Sequence, residues 1–419
     1  MTTIVIGAGL IGLTTAYALQ SRGEDVLLID AREGVALETS YANGGLVTPS
    51  MPEPWNGPGV FGHLASSLFD PRSSMRLRWH AIPSLTGWGL RFLRESTAAR
   101  HFAACTDNYR LADYSLERTA ALTESLGLDF DHGTKGTLSI FRDAKAFEVK
   151  EAVCRHIAKL GMEYRVLSPA ETVGFEPSLA SVEDRIVCSV HYPGDHFGDA
   201  HRFCEALLPH FEAAGGRVEF GNEVRAIVVD GDGVRGVETE QGERPATRVV
   251  VAAGVRSPAV LAGVGVALPV KPVKGYSVTL DVGNEVRLPA LPVIDDSMHA
   301  CLTPLGSRLR MVGTAEFTGY DTRIDPVRTD NLLRLFRELL PDVAARVSTD
   351  DARQWAGLRP MSYDGRPFIG ETGIRGLYVN SGHGPLGWTM AAGSAELAAD
   401  LVTGKKPALD PTPFRLARR

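Results

Sequence analysis

The sequence predicts an α/β fold, and three observations support that prediction. The chain opens with TTIVIGAG, an apolar stretch typical of a buried strand that ends in glycine. LIGLTTAYALQSRG follows as a predicted helix that stops at Gly23, and EDVLLID is a second strand that ends at Asp30. Strands and helices alternate again near the carboxyl terminus, whereas the middle of the chain is more mixed. This arrangement indicates an α/β domain combined with a second domain of α+β character.

The composition agrees with a folded chain of more than one structural unit. It has 419 residues, of which 44% are hydrophobic and 22% charged, so it can bury a sizeable core. The net charge of −6 argues against non-specific nucleic-acid binding. The five cysteines are scattered and form no CxxC pair, so we expect neither disulfides nor a structural zinc site. No stretch approaches the roughly 20 apolar residues of a membrane-spanning helix, and we expect a cytoplasmic chain.

The remaining elements follow from hydrophobic periodicity and from turn residues. Residues 51–62 are rich in proline and glycine and are predicted to form a loop. Helices are predicted over most of 75–125, over 146–161, after a capping Asp199, and over 330–341 and 391–404. Strands are predicted at 136–141, 217–221, 248–254, 274–280, 308–317 and 376–382, with a hairpin over 223–243. No internal repeat is found.

A glycine motif between the first strand and the first helix carries the strongest chemical signal. Gly7-x-Gly9-x-x-Gly12 is followed by Asp30 at the end of the second strand. In this context Gly7 permits a tight turn, Gly9 lets a pyrophosphate approach the backbone, and Gly12 allows close helix–strand packing. Asp30 can accept hydrogen bonds from an adenosine ribose. The motif predicts a Rossmann-like dinucleotide site, but it does not separate FAD from NAD.

Three further segments expose backbone groups or small side chains. ETSYANGGLVTPS (38–50) contains a Gly-Gly pair, VVVAAG (249–254) is a strand that ends in small residues, and NSGHGPLGWTMAAGS (380–394) places several glycines before the last helix. Each can approach a cofactor closely, and a helix start stabilises negative charge. Taken alone, segment 38–50 favours a surface turn. Segment 249–254 is also compatible with a core strand, and segment 380–394 with a tight structural turn.

Arg359 is the candidate substrate-binding residue. In WAGLRPMSYDGRPFIG (355–370) it stands between Gly-Leu and Pro360, which predicts a rigid turn. A guanidinium held in this way suits bidentate recognition of a carboxylate, and a surface salt bridge is the alternative.

Five blocks together give the chain a family resemblance: GAGLIG, ALETSYANGG, KGYSVTL, GLRPMSYDGRPFIG and SGHGPLGWTMAAGS. They resemble the D-amino-acid oxidase superfamily of FAD enzymes, and within it the bacterial FAD-dependent D-amino-acid dehydrogenases of the small-subunit type. The resemblance implies FAD as cofactor, Arg359 as the residue that grips the substrate carboxylate, and Tyr276 as a pocket residue. It also implies that His383 stands beside the flavin, either in a catalytic role or as a structural residue of the turn.

The predicted cofactor-binding set combines the glycine segments with their neighbours. Its members are Gly7, Gly9, Leu10, Ile11, Gly12, Asp30, Ala31, Ser40, Asn43, Gly44, Gly45, Val224, Ala253, Gly254, Gly384, Pro385, Leu386, Gly387, Trp388 and Thr389. We expect an FAD-binding domain formed by residues 1–56, 197–268 and 350–419. The substrate-binding domain, with a mixed sheet, is expected from residues 57–196 and 269–349.

The activity implied by the resemblance is oxidation of a D-amino acid to a 2-oxo acid and ammonia. A hydride leaves Cα for flavin N5, and a quinone or another acceptor apart from O₂ takes the electrons. One alternative is a related FAD enzyme of a secondary amine, such as D-proline, D-hydroxyproline, sarcosine or glycine. Another is an oxidase that uses O₂. A non-catalytic flavin-binding or NAD-binding protein is the alternative of a different class.

Two other patterns suggest sites of lower specificity. His191, His196 and His201 recur at five-residue intervals, but a predicted helix cap interrupts them, so we expect no metal site. MRLRWHAIPSLTGWGLRFLR interleaves aromatic and basic residues, which suits peripheral contact with the inner face of a membrane. Pro83, Gly87 and Gly89 interrupt that segment and favour an ordinary core-packing helix.

Overall fold

The computed structural model describes residues 2–67, 73–231, 233–283 and 286–418, and the side chains of residues 63 and 65–67 lie outside the description. The strands in these ranges are β1 (Thr2–Ile6), β2 (Asp25–Ile29), β3 (Leu46–Val47), β4 (Met75–Leu77), β5 (Thr137–Phe141), β6 (Arg165–Leu167), β7 (Cys188–Tyr192), β8 (His196–Phe197), β9 (Arg217–Glu219), β10 (Val224–Asp230), β11 (Gly233–Thr239), β12 (Gly242–Pro245), β13 (Arg248–Val251), β14 (Val270–Asp281), β15 (Val293–Asp295), β16 (Ala300–Leu305), β17 (Arg308–Phe317), β18 (Arg353–Ser362), β19 (Phe368–Glu371) and β20 (Leu377–Ser381).

Helices occupy both the sheet faces and the connections. The α-helices in the described ranges are α1 (Leu10–Gln20), α2 (Val60–Ser67), α3 (Ile82–Arg94), α4 (Ala98–Leu126), α5 (Ala144–Ala158), α6 (Pro169–Phe175), α7 (Ala200–Ala213), α8 (Ser257–Ala262), α9 (Pro326–Leu339), α10 (Pro341–Ala344) and α11 (Ala391–Thr403). Short 3-10 helices span Trp79–Ala81, Pro177–Arg185, Gly254–Arg256, Gly384–Leu386 and Thr412–Phe414.

The first sheet is mainly parallel and contains the predicted βαβ unit. Six strands of the described chain form it, in the order β19-β20-β13-β1-β2-β9, and only the β19–β20 pair is antiparallel. α1, α7 and α11 pack on one face through a core that includes Leu13, Phe203 and Ala395. The antiparallel sheet β10-β11-β12 packs on the other face. Apolar residues on both faces of the central strands therefore explain their nearly continuous hydrophobic sequence.

The second sheet is mixed and holds the predicted substrate side of the molecule. Its described strands run β18-β14-β17-β16-β15-β5-β7-β6, and β4 pairs with β17 in addition. The pairs from β18 to β15 are antiparallel, whereas β15 runs parallel to β5. α9 covers one face through Leu335 and Phe336, which join the core of β14, β16 and β17. Together the two sheets confirm a two-domain α/β fold with one Rossmann-like and one mixed-sheet part.

Most predicted elements are confirmed, several with shifted ends. β17 has the predicted bounds, and Asp199 caps α7 by accepting hydrogen bonds from the backbone N–H groups of His201 and Arg202. The predicted hairpin gains a third strand, β12, and residue 232 in its turn lies outside the described residues. β14 extends beyond 274–280 at both ends, and α9 begins at Pro326 because Asp325 caps it.

Three local predictions are wrong. Arg359 lies inside β18 rather than in a rigid turn; Pro360 is tolerated there because β18 is an edge strand, whose outward N–H need not bond to a neighbour. The loop predicted over 51–62 ends earlier, because α2 begins at Val60. The glycines of 380–394 do not open α11 directly: the 3-10 helix at Gly384–Leu386 comes first, and α11 begins at Ala391.

The predicted domain boundaries remain a prediction. One strand departs from the predicted division: β18 comes from the segment 350–419 but pairs with β14 in the mixed sheet. This strand places Arg359 on the sheet of the predicted substrate domain.

A buried arginine near the carboxyl terminus holds the turn that follows β18. The Arg418 side chain is 4% exposed; its Nε and Nη2 donate to the two carboxylate oxygens of Asp364 at 2.8 and 2.6 Å. Its Nη1 donates to the Pro367 carbonyl at 2.7 Å, and its guanidinium lies 3.8 Å from the Phe368 ring centroid. The Arg418 guanidinium is thus fixed in position by the buried Asp364 carboxylate and the face of the Phe368 ring.

We expect Arg418→Ala to lower the free energy of unfolding by about 3 kcal/mol, because it leaves the buried Asp364 carboxylate with fewer partners. The midpoint of urea unfolding measures this change. Arg415→Ala is the matched control, since that side chain is exposed on the same segment; its effect should stay within about 0.5 kcal/mol. Equal midpoints for the two variants would contradict the prediction.

Candidate functional site

The turn between β1 and α1 has the geometry of a dinucleotide cradle. Gly7 has φ +103°, which a side chain would strain, and a Cβ on Gly12 would stand 1.7 Å from the Gly7 carbonyl oxygen. Gly9 differs from both, since a Cβ there would meet only the Ser40 Oγ, at 3.7 Å. Gly9 also caps α1 without a side-chain hydrogen bond, and the first turn carries no acidic residue. The helix start therefore has room and partial positive charge for a phosphate.

Asp30 stands at the end of β2, next to this turn. One carboxylate oxygen accepts the Ala8 N–H at 2.6 Å, and the other accepts the Arg32 N–H at 2.8 Å. Burial raises the pKa of Asp30 in spite of these two hydrogen bonds. A carboxylate offers about four lone-pair positions, so acceptor capacity remains for a ribose hydroxyl.

The turn at Asn43–Gly45 is held from outside by three donors. Within the turn, the Gly45 N–H donates to the Asn43 Oδ1 at 3.0 Å, and Gly45 has φ +69°. Three successive carbonyls, those of Asn43, Gly44 and Gly45, accept from Arg310 Nη1 at 3.2 Å, Thr303 Oγ1 at 2.8 Å and the Gly198 N–H at 2.8 Å. Arg310 and Thr303 belong to the mixed sheet, so this turn joins the two parts of the fold. Ser40, just before it, accepts the Leu10 N–H at 3.2 Å.

The other predicted cofactor residues occupy different surroundings. Gly254 follows β13 with φ +53°, and a Cβ there would meet nothing within 4 Å. Ala253 beside it is half-buried. Val224 begins β10 and packs against the core between the two sheets of the first domain. Leu10 is buried, Ile11 half-buried and Ala31 exposed.

The glycine segment before α11 is fixed at both its ends. Gly384 has φ +57°, and a Cβ there would lie 2.7 Å from the Met361 Sδ. Trp388 donates through Nε1 to the Gly198 carbonyl at 3.0 Å, and Thr389 Oγ1 accepts the Thr48 N–H at 3.0 Å. Between Gly384 and Trp388, Leu386 is buried, Gly387 is half-buried and Pro385 is exposed.

His383 lies at the start of this segment and is 2% exposed. Neither ring nitrogen has a hydrogen-bond partner among the described residues. Burial lowers the pKa of His383 to about 3, so the imidazole is neutral near pH 7. Buried polar atoms are normally hydrogen-bonded, and an imidazole with two unpaired nitrogens indicates a missing neighbour.

Arg359 is a half-buried cation without a carboxylate partner in the described chain. Its Nη1 donates to the Thr314 carbonyl at 3.3 Å, and its guanidinium carbon lies 5.5 Å from the Trp55 ring centroid. Burial lowers the pKa of Arg359 to about 10, which still leaves it charged at neutral pH. A guanidinium that is desolvated and unpaired is a strong site for an incoming anion.

A glycine pair makes room for this guanidinium. Gly275 and Gly357 stand opposite each other on β14 and β18. A Cβ on Gly275 would lie 2.0 Å from Arg359 Nη1, and a Cβ on Gly357 would lie 1.9 Å from the Trp355 ring. Arg359 and Trp355 therefore both extend over backbone that carries no side chain.

Sequence reasoning missed Trp55, Trp355 and this glycine pair. A large aromatic residue between Pro54 and Asn56, in a loop rich in proline and glycine, was the available signal for Trp55. Nothing local indicated Gly275 or Gly357, because their roles depend on pairing between distant strands.

Tyr276 and Arg359 lie on opposite faces of the mixed sheet. Arg359 extends over Gly275, and successive residues of a strand point to opposite faces. Tyr276 is 1% exposed and donates its hydroxyl to Glu316 at 2.7 Å, on the side that α9 covers. Burial and the Glu316 carboxylate raise its pKa. The structure does not bring the two together, and the role of Tyr276 stays a prediction.

The other predicted segments do converge. Thr39, near the Asn43–Gly45 turn, donates to the Leu358 carbonyl on β18 at 2.7 Å. Met361 of the same strand forms an antiparallel β-bridge with His383. Arg359 thus lies one residue from the contact with segment 38–50 and two residues from the contact with segment 380–394.

The three spaced histidines do not share a site. His191 bonds through Nε2 to the Lys135 carbonyl at 3.0 Å, His196 lies on β8, and His201 contacts Glu205 at 3.5 Å and the Tyr41 ring. Across the described ranges, no group of three or more His, Cys, Asp and Glu side chains has a geometry that could hold a metal ion. Likewise, none of the described helices is both long and apolar enough to cross a bilayer.

The residues present fit a dinucleotide cofactor. Gly9 and Gly254 border open space, Asp30 retains acceptor capacity, and the α1 N-terminus lacks a side-chain cap. The unpaired nitrogens of His383 lie in the segment tied to the same region. All of these groups would be satisfied by one extended ligand that carries phosphates, a ribose and polar ring atoms.

Comparison with known proteins agrees with this geometry. The model of the DAO family, described as FAD dependent oxidoreductase, matches residues 2–401. A D-amino acid dehydrogenase from Sinorhizobium medicae (strain WSM419) is 39% identical over 418 residues, which cover 100% of both proteins. The match therefore includes the parallel sheet, the mixed sheet and all the glycine segments described above.

Solved structures share the fold. Glycine oxidase from Geobacillus kaustophilus has a TM-score of 0.77 at 24% identity, covering 100% of this chain and 98% of that chain. L-proline dehydrogenase from P. horikoshii has a TM-score of 0.77 at 19% identity, covering 99% and 96%. The family match across most of the chain, the full-length relative and the cofactor cradle lead to one conclusion: the chain belongs to the DAO family of FAD-dependent oxidoreductases, and FAD is its cofactor.

Proposed function

We propose that this enzyme oxidises D-amino acids to 2-oxo acids and ammonia, and passes the electrons to a quinone or another acceptor apart from O₂. The observation that carries the proposal is the half-buried guanidinium of Arg359, which has no carboxylate partner in the described chain and belongs to the strand that contacts the predicted cofactor segments. The D-amino acid dehydrogenase names of full-length relatives support the substrate class.

Arg359 binds the substrate carboxylate through its guanidinium fork. The Thr314 carbonyl and the Trp55 ring hold the guanidinium from other sides, so its orientation is set before substrate arrives. Carboxylate binding neutralises a half-buried charge, which makes the interaction stronger than it would be in water. Fixing one end of the substrate also orients Cα for reaction.

FAD, when bound, accepts the hydride that leaves the substrate Cα. The protein contributes binding, orientation and the exclusion of water around the Arg359 fork. The imine that results reacts with water to give the 2-oxo acid and ammonia. One amino acid, one water and one oxidised acceptor thus yield one 2-oxo acid, one ammonia and one reduced acceptor.

No side chain is assigned as a general base. His383 has a pKa of about 3, so it is a weak proton acceptor at neutral pH. Substrate whose amine is already neutral needs no base before hydride transfer. We assign His383 to contact with the cofactor, where its two unpaired ring nitrogens find partners.

Exposed aromatic, apolar and basic residues on and before α3 support a membrane quinone as the electron acceptor. Trp79 and Leu90 are 61% and 67% exposed, and Arg91 and Arg94 of α3 are exposed as well. Such a surface suits peripheral contact with an anionic membrane, where a quinone would be available. Trp88 and Phe92 of the same segment are buried and form part of the core instead.

Anaerobic addition of a D-amino acid should bleach the flavin absorbance near neutral pH, because two electrons pass from substrate to FAD. Stopped-flow spectroscopy against D- and L-amino acids, cyclic imino acids and N-methyl glycines measures it. Bleaching only by secondary amines would replace the substrate class, and failure with the whole panel would contradict the proposal. Admitting air or a soluble quinone to the reduced enzyme then identifies the acceptor.

Arg359→Ala should raise KM by about 100-fold, because two charged hydrogen bonds to the carboxylate are lost. The KM of Arg359→Lys should lie between the values of Arg359→Ala and wild type, since lysine keeps the charge but lacks the guanidinium fork. Bound FAD should be unchanged in both. Steady-state kinetics and the flavin-to-protein absorbance ratio measure these quantities.

The matched control for that series is Arg353→Ala, which removes an exposed arginine from the same strand. We expect its KM to stay within about twofold of wild type, the range typical of exposed surface substitutions. Similar KM values in Arg353→Ala and Arg359→Ala would show that Arg359 does not bind the carboxylate.

The pH dependence of kcat/KM should contain no step from His383 between pH 5 and 8, because its imidazole stays neutral down to about pH 3. In the unfolded chain the same group takes up a proton near pH 6.5, so acidification from about 6.5 towards 3 lowers folding stability through it. His383→Gln should keep the shape of the wild-type profile. A step near pH 6.5 that disappears in this variant would assign His383 a proton-transfer role.

A further inference from the structure

An irregularity in the mixed sheet stands beside the carboxylate-binding arginine. Lys274 pairs with Glu316 and Tyr276 pairs with Gly313, so Gly275 of β14 faces two residues of β17, Thr314 and Ala315. One extra residue on one strand is a β-bulge, and bulges redirect side chains next to binding sites. This bulge lies directly opposite the glycine over which Arg359 extends.

Thr314 has an unusual backbone for its residue type. Its φ is +62°, in the left-handed region, where a β-branched residue is a genuine outlier. The other described non-glycine residues with positive φ are Ala36, Asp131 and His299, and none of them is β-branched. Strain of this kind persists only where the surrounding structure holds it, and it concentrates at functional sites.

Thr314 contacts Arg359 through its carbonyl and carries a second polar group, its hydroxyl. Its carbonyl accepts the Arg359 Nη1 at 3.3 Å. Its hydroxyl oxygen is buried and has no hydrogen-bond partner within the described part of the chain. A buried hydroxyl is normally paired, so this one is available for a group that arrives with the substrate.

We propose that the Thr314 hydroxyl donates a hydrogen bond to the substrate carboxylate held by Arg359. A bidentate guanidinium occupies two of about four acceptor positions on a carboxylate, which leaves room for a hydroxyl donor. The inference rests on the proposed function for the identity of the anion. It makes Thr314 a substrate-binding residue that also orients the guanidinium through its carbonyl.

The amine of the substrate is a less suitable partner for this hydroxyl. Thr314 is tied to the guanidinium through its own carbonyl, and the group nearest to that cation in a bound amino acid is the carboxylate. A strained backbone is also better explained by two simultaneous contacts with one anion site than by packing alone.

The test compares Thr314→Val, which removes the hydroxyl but keeps the shape, with Thr314→Ser, which keeps the hydroxyl. The probe is benzoate, a carboxylate without an amine, titrated into the FAD-loaded enzyme by flavin absorbance. We expect Thr314→Val to weaken benzoate binding about 10-fold or more, as for a lost hydrogen bond to a charged group. Thr314→Ser should retain most of the affinity, and KM for a D-amino acid should rise more than kcat falls in the valine variant.

A second pair of variants guards against misfolding. Thr314→Gly relieves the positive φ and removes the hydroxyl, so comparison with Thr314→Ser isolates the hydroxyl without a β-branched residue in either protein. Loss of benzoate affinity in the glycine variant supports the proposal. Affinity equal to that of wild type in both the valine and the glycine variants, or an equal loss in the serine and valine variants, overturns it.

Failure of the proposed function gives a different pattern. Suppose that wild-type enzyme binds benzoate, that Thr314→Val binds it more weakly, and that no D-amino acid bleaches the flavin. The carboxylate contact then stands and the substrate class is wrong. If wild-type enzyme binds no carboxylate, both proposals fail.

Discussion

A half-buried charge without a counter-ion in the described chain is the constraint on which the rest of this site depends. A guanidinium without a counter-ion is costly to bury, and the structure keeps Arg359 charged with only a carbonyl and an aromatic face as neighbours. Room for it exists because Gly275 has no side chain. The paired strands β14 and β18 fix the position of the charge, which supports the proposed role of Arg359 as an anion site.

The segments around the parallel sheet and the mixed sheet are joined by specific polar contacts rather than by apolar packing alone. Arg310 and Thr303 of the mixed sheet hold carbonyls of the Asn43–Gly45 turn, and Thr39 reaches back to β18. Met361 pairs with His383 on the other side. Since each of these contacts has a defined direction, the distance between the cofactor segments and Arg359 is set by the folded chain itself.

Local sequence signals predicted the geometry of the turn between β1 and α1 better than the surroundings of Arg359. The roles of Gly7, Gly9 and Gly12 depend on one βα unit. Gly7 makes its turn, Gly9 leaves open space, and Gly12 allows the close contact between helix and strand. Arg359 was identified as a residue but placed in a turn, since Pro360 suggested a break that an edge strand tolerates. The neighbours of Arg359, from Trp55 to Thr314, come from segments about 45 to 300 residues away, and their roles follow from strand pairing that no local pattern reports.

The position of β20 has a consequence for synthesis of the protein. β13 lies between β1 and β20, and α11 packs with α1 on the same core, so the first and last parts of the chain build one sheet. A nascent chain that stops before β20 has β1, α1 and β2 but lacks β20, His383 and α11. The sheet and the core around α1 are therefore completed only after β20 and α11 have been synthesised, and the apolar faces of the early βαβ unit must be protected until then.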